Sequence, residues 1–220
     1  MGKIDRHPLP NTPVTHRISA RHNNRVGSVY SSLYGFWTAR QHVLNETTGR
    51  ARFERDVYTI IFFDQQTIEP VTNDSTRAPT ELLHEVLKHG PGRGTNFTAG
   101  IERTQEAMTS SWSNERTPVV IFLSDGEGSI SNDTMRDLCN RAVSLGCPLS
   151  FHAVSFGPSN TTLRRMASVA SEVQNAASSD PTRPTVPSSY IEAADTVRLA
   201  ETLLGLAESL RKTRGALIRG

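Results

Sequence analysis

Thr95 and Asp125 are the two side chains whose type and setting could do chemistry together. Asp125 ends the run Val119-Val120-Ile121-Phe122-Leu123-Ser124. That run is short, apolar and rich in β-branched residues, and Pro118 precedes it. It reads as a strand buried on both faces, as in a parallel sheet covered by helices. Open α/β sheets gather ligands at the carboxyl ends of their strands, so Asp125 would look into that crevice. Gly126 lets the backbone turn away with no side chain in the path. Thr95 sits on the glycine-rich turn Gly90-Pro91-Gly92-Arg93-Gly94-Thr95-Asn96, which opens a helix predicted to run to about Met108. A hydroxyl and a carboxylate meeting at one sheet edge are hard oxygen ligands, suited to Mg²⁺ with waters completing an octahedron. Two protein oxygens are few, and such a site calls for a third contributor from another strand end. The structural alternative is that Asp125 caps the loop after its strand.

Other chemistries fail on spacing. No Gly-Lys-Ser/Thr follows the glycine loop, so it is not a P-loop. The loop follows a predicted helix and not the first strand of a unit, which argues against a dinucleotide fingerprint. A Gly-x-Ser-x-Gly nucleophile elbow is absent. His84-Glu85-Val86-Leu87-Lys88-His89 has one residue too many for a His-Glu-x-x-His zinc motif. Five positions along a helix turn the second imidazole about 140° from the first, and one metal cannot hold both. Arg211, Lys212, Arg214 and Arg219 suit the negative end of a final helix better than a binding patch.

The elements that must position Thr95 and Asp125 alternate in type. Residues 1–24 are rich in Pro, His, Arg and Asn, and Pro8, Pro10 and Pro13 predict an extended or disordered start with a weak strand over Val14 to Ser19. Apolar residues recur every three to four positions from Arg25 to Asn45, predicting a helix. Val57 to Asp64 reads as a buried strand, with Thr67 to Val71 as an antiparallel partner at the edge. Thr80 to His89 reads as a short helix capped by Thr80. Helices are predicted over Asp133–Ser144 and around Leu163–Val173, with an apolar strand from Pro148 to Val154 between them. Ser178 to Ser189 reads as a linker, and 190–212 as a last helix. Strands alternating with helices predict a mostly parallel sheet with helices on both faces.

The bulk numbers agree with one soluble domain. The chain has 220 residues, 36% hydrophobic and 21% charged, with a formal charge of +2 and a sequence pI near 8.7. That balance gives no case for nucleic acid. Cys139 and Cys147 form neither a disulfide framework nor a zinc pattern. No apolar stretch is long enough for a bilayer, and the N-terminus lacks the apolar centre of a secretory signal. A reduced, cytoplasmic compartment is the default expectation.

Three segments together resemble the von Willebrand factor type A (VWA) family: Gly92-Arg93-Gly94-Thr95-Asn96-Phe97-Thr98-Ala99-Gly100-Ile101, Val119 to Glu127, and His152-Ala153-Val154-Ser155-Phe156-Gly157. The resemblance runs from about Arg25 to Arg211. It implies a Rossmann-like, doubly wound sheet with one short antiparallel edge strand. It also implies a divalent ion at the top of the sheet that grips an acidic side chain of a protein partner, with Thr95 as a direct ligand and Asp125 acting through a water. The family's first strand ends in Asp-x-Ser-x-Ser. Here the aligned stretch is Arg17-Ile18-Ser19-Ala20-Arg21, so Ser19 stands for the first serine while Arg17 and Arg21 replace the aspartate and the second serine. A guanidinium is permanently charged and never ligates a metal. Weak or absent Mg²⁺ binding is therefore expected at Thr95, Asp125 and Ser19. Either Arg17 or Arg21 pairs with Asp125, or residues 1–24 do not supply the central strand.

The expected organisation is an atypical N-terminal segment (1–24), a VWA-like domain (25–212) and a basic tail (213–220). The expected function is non-catalytic protein interaction, with no nucleic acid and no membrane. The competing expectation is a Mg²⁺-dependent hydrolase or phosphoryl-transfer enzyme using Asp125 and Glu127. A third is a fragment that folds poorly without its first strand.

Overall fold

The computed structural model describes residues 7–46, 56–92, 94–177 and 185–217. In chain order the elements are α1 (Thr15–Ser19), α2 (Arg25–Glu46), β1 (Tyr58–Phe63), β2 (Thr67–Asp74), α3 (Pro79–Val86), α4 (Phe97–Ser110), β3 (Val119–Ser124), α5 (Asn132–Ser144), β4 (Ser150–Phe156), α6 (Thr161–Ala176), β5 (Ser189–Ala193) and α7 (Thr196–Leu217). Strands β1 and β2 form one sheet and β3-β4-β5 another. The turn Asp64-Gln65-Gln66 is too short for a crossover, so β1 and β2 run antiparallel, as the sequence predicts. The chain divides into two compact units.

The first unit is helical. It holds α1, α2, α3, most of α7 and the outer part of the β1–β2 hairpin. Ile18, Tyr30, Phe36, Trp37, Leu82, Leu83, Leu199 and Leu203 are buried in it. The strand expected over Val14 to Ser19 is instead the helix α1. Val14 and Ile18, both buried, are four residues apart and so share a helical face, a spacing that also fits alternation. The hydroxyl of Thr15 fixes the turn before them. It donates to Leu9 O at 2.6 Å and accepts from Thr12 N at 2.9 Å. In α3 the N-cap is Ala78 and not Thr80. Pro79 starts the helix, and the Glu81 carboxylate accepts from Ala78 N at 2.7 Å.

The second unit carries the three-stranded sheet. It comprises the hairpin tip Ile61–Glu69, the stretch Gly92–Glu192 and the chain end from Thr213. Strands β3 and β4 pair in parallel, from Val119 opposite Ser150 to Ser124 opposite Ser155. Helices α5 and α6 bury Met135, Leu138, Leu163, Met166 and Ala170 against Phe151 and Ala153 of β4. A row of aromatic rings crosses the same core. Phe63 stacks on Phe122 at 4.8 Å and Phe122 on Phe151 at 6.1 Å, while Phe97 of α4 meets Phe122 edge-on at 5.2 Å. The last helix was expected to begin at 190, but Tyr190–Ala193 belong to β5. The tyrosine and the β-branched Ile191 favour a strand there, and Ser188 Oγ accepts from Phe151 N at 3.0 Å at its start.

A buried ion pair ties α2 to α7 in the first unit. The Arg40 side chain is 4% exposed and pairs with Asp56, 20% exposed. Nε donates to Asp56 Oδ2 at 2.7 Å, Nη2 to Oδ1 at 2.9 Å, and Nη1 to Ala207 O at 3.1 Å. Removing one partner strands a charge in the interior, whereas replacing both removes the problem. Asp56→Ala is therefore expected to cost about 3 kcal/mol in urea denaturation, and Arg40→Met/Asp56→Leu about 1 kcal/mol or less.

Candidate functional site at the carboxyl edge of the sheet

The rim of the second unit is assembled from turns that approach one another at glycines. Gly92 lies on the end of β1, where a Cβ would stand 2.2 Å from Asp64 Oδ2. Gly94 has a φ of +85°, and a Cβ there would reach 2.1 Å from Gln65 Nε2. Both the left-handed backbone and the close approach need glycine. The loop is then pinned by Asn96, whose N–H donates to Asp64 O at 2.8 Å. The Asn96 side chain caps α4 by accepting from Ala99 N at 3.0 Å.

This pinning sets Thr95 against the turn that follows β3. A Cβ on Gly126 would lie 2.7 Å from Thr95 Oγ1, so the hydroxyl rests on the Gly126 backbone. Gly128 packs as closely on the Phe97 ring. Ser124 Oγ accepts from Gly126 N at 3.2 Å and shapes the turn. Asp125 and Glu127 are exposed beside it, while Thr95 is half-buried. The structure thus brings Thr95 to the Asp125–Gly126 turn.

Asn160 is a rim residue that sequence reasoning missed. It is buried, caps α6 by accepting from Leu163 N at 3.0 Å, and donates from Nδ2 to Gly126 O at 2.9 Å. Its own N–H donates to Tyr190 Oη at 2.9 Å, and Tyr190 Oη donates to Glu192 at 3.1 Å. Arg164 Nη2 donates to the same carboxylate at 2.8 Å and lies 4.8 Å over the tyrosine ring. Hydrogen bonds from Ser159 and Tyr190, together with Arg164, hold the Glu192 carboxyl below its usual range. The available signal was Asn160 three residues before Leu163, a cap spacing. Asp64 was legible as a strand end but not as the residue that seats the glycine loop.

The other expected ligand lies elsewhere in the chain order. Ser19 closes α1 in the first unit. Arg17, for which pairing with Asp125 was one alternative, donates to His84 Nδ1 at 2.9 Å and to Thr80 O at 3.5 Å.

The mussel byssus proximal thread matrix protein 1 with a zinc-occupied MIDAS motif aligns over 86% of this chain and 44% of its own, at 15% identity and a TM-score of 0.56. The SpRpn10 VWA domain aligns over 86% of each chain at 13% identity and 0.54. BatB from Bacteroides thetaiotaomicron aligns over 90% of this chain and 92% of its own at 10% identity and 0.53. The chain has a VWA-like fold. It is the α/β, Rossmann-like arrangement that the three quoted segments imply. The chain spans less than half the length of the mussel protein it matches. No family model matches the sequence, and no curated protein does.

The donor set bears on the ion that this VWA-like fold implies. Of the expected ligands, the Thr95 hydroxyl and the Asp125 carboxylate are at the rim. Among the described residues no three His, Cys, Asp or Glu side chains converge to hold a metal. An octahedral Mg²⁺ would draw at most a third of its shell from those two side chains.

His152 is the only imidazole in the sequence of the second unit, and it is 1% exposed. Nδ1 hydrogen-bonds to Ser189 Oγ at 2.8 Å, and Nε2 has no partner among the described residues. Burial lowers its pKa to about 4.

Two outcomes follow. Gly126→Ala is expected to cost about 1.5 kcal/mol by denaturant titration, and much less in a Thr95→Ala background, because the clash is with that hydroxyl. For His152 the unfolded chain binds a proton from pH 6.5 downward while the folded chain stays neutral to about pH 4. Stability is fully present above pH 6.5 and falls by about 1.4 kcal/mol per pH unit below it. A pH series of urea melts from 7.5 to 5 checks this, and His152→Gln should lack the slope.

Proposed function

We propose that this chain is a non-catalytic protein-interaction domain that meets its partner at the rim of Thr95, Asp125 and Glu127, with Mg²⁺ bound weakly or not at all. The observation that carries the reading is the seating of the Thr95 hydroxyl on the Gly126 backbone, which presents a hydroxyl and an exposed carboxylate on one edge. The VWA-like fold supports an adhesive rim. The replacement of two expected oxygen ligands by Arg17 and Arg21, and the helical conformation of Ser19, support the weak ion site. A rim carrying the exposed acidic side chains Asp125 and Glu127 would select a partner surface that complements them.

The hydrolase reading needs a base beside Asp125. The one imidazole of this unit is sealed inside β4 and bonded to Ser189, so it cannot serve. No exposed histidine or cysteine of the described second unit stands in its place.

Isothermal titration calorimetry with Mg²⁺ and Mn²⁺ tests the ion site. Binding weaker than about 1 mM, equivalent to about 4 kcal/mol, is expected. Micromolar affinity abolished by Asp125→Ala overturns the weak-site reading. Cross-linking in the native cell tests the rim: partners captured by the unmodified chain should be lost with Asp125→Ala. Turnover of p-nitrophenyl phosphate, lost in the same variant, would establish the enzyme instead.

A further inference from the structure

The side-chain amide of Asn160 is engaged at both ends. The carbonyl end, Oδ1, accepts from Leu163 N at 3.0 Å and caps α6. The amino end, Nδ2, donates to Gly126 O at 2.9 Å, in the turn that follows β3. Reversing the amide would set its NH₂ against the Leu163 N–H and its oxygen against the Gly126 carbonyl. Two repulsions would replace two bonds, so the chemistry of the site fixes the orientation. Asn160, Gly126, Leu163 and Thr95 all belong to the second unit.

Capping alone does not call for an amide. Ser131 starts α5 in the same unit with a hydroxyl, which accepts from Thr134 N at 3.0 Å. Serine and aspartate cap helices about as well as asparagine does. Aspartate has no donor, however, and the serine hydroxyl ends one bond nearer the backbone than Nδ2. Asparagine alone of the three can both cap α6 and reach the Gly126 carbonyl as a donor. That carbonyl also has Ser124 Oγ at 3.4 Å, so the shorter of its two bonds comes from Asn160. The backbone of Asn160 is itself held, because its N–H donates to Tyr190 Oη at 2.9 Å and Tyr190 lies on β5. A chain of contacts runs from β5 through Asn160 to Gly126, and on to the Thr95 hydroxyl that rests there.

We propose that Asn160 is the positioning residue of the rim: its amide fixes the Gly126 turn under Thr95, and recognition at the rim depends on it. Being buried, it acts through Gly126 and not by touching a partner. The clamp is a property of the second unit by itself. Its effect on recognition rests on the reading that partners meet the rim at Thr95, Asp125 and Glu127. Removing the donor while keeping the cap should release the turn without unwinding α6. A residue that served the helix only would behave in the opposite way, and any good cap would replace it.

Asn160→Ser and Asn160→Asp, each in the full chain, separate the two ends of the amide. Both keep an acceptor for Leu163 N, both lose the donor to Gly126 O, and the serine adds no charge. Amide hydrogen exchange followed by NMR reports on each end, at Gly126 for the turn and at Leu163 for the cap. Gly126 is expected to exchange at least about tenfold faster in both variants, with Leu163 within about threefold of the unaltered chain. Partner capture by cross-linking should fall in both. Unchanged exchange at Gly126 in both variants overturns the proposal. Equal acceleration at Gly126 and Leu163 overturns it too, since Asn160 is then a helix cap only. Acceleration in the aspartate variant alone assigns the effect to the added charge and has the same consequence. Faster exchange at Gly126 with undiminished capture, while Asp125→Ala still loses the partners, overturns the link between clamp and recognition. Undiminished capture in Asp125→Ala as well overturns the rim reading and leaves the clamp standing.

Discussion

The rim depends on the missing side chain at Gly126. Thr95 Oγ1 occupies the volume that a Cβ would need, and the carbonyl of the same glycine accepts from Asn160 Nδ2. One residue thus meets both the turn before α4 and the turn before α6. Both contacts use helix-capping segments, since Asn96 and Asn160 each satisfy an otherwise orphaned N–H of their helices. The caps fix where the helices begin, and the helices in turn hold the loops at hydrogen-bonding distance from β3. A side chain at 126 would displace Thr95 and disturb the seat of both.

This dependence explains how much could be read from the chain. Val119–Ser124 has no periodicity because the whole run is apolar, and its strand character follows from length, branching and the Asp-Gly stop. The observed strand spans those same residues. Thr95 was legible because a glycine-rich turn opening a helix marks a loop at the sheet edge. Asn160 was not, because its second bond, to a carbonyl 34 positions away, has no local signature. The N-terminal segment misled for a different reason. Val14 and Ile18 fit alternation and a helical face equally well, and the Thr15 hydroxyl decides between them through Leu9. Residues 190–193 were absorbed into a helix because Ile191 falls on the apolar stripe of α7. Partnering with β4 overrides that stripe. The expected linker over Ser178 to Ser189 lies in part outside the described residues, and its last residue opens β5.

The first-strand pattern is where the chain departs from the family it resembles. A strand ending in Asp-x-Ser-x-Ser would bring hard oxygen ligands to the carboxyl edge, and Arg17 and Arg21 stand in two of those places. The segment is instead the helix α1, whose backbone groups are spent on intrahelical bonds such as Ile18 N to Val14 O at 3.0 Å.

The middle of β3 is held by aromatic packing. Phe122 is buried between Phe63, Phe97 and Phe151, while Val119, Val120, Ile121 and Leu123 around it are half-buried. Aromatic pairs in this geometry contribute about 1 kcal/mol each beyond burial. The strand that ends in Asp125 is thereby fixed at its centre, and the turn on which the Thr95 hydroxyl rests follows from it.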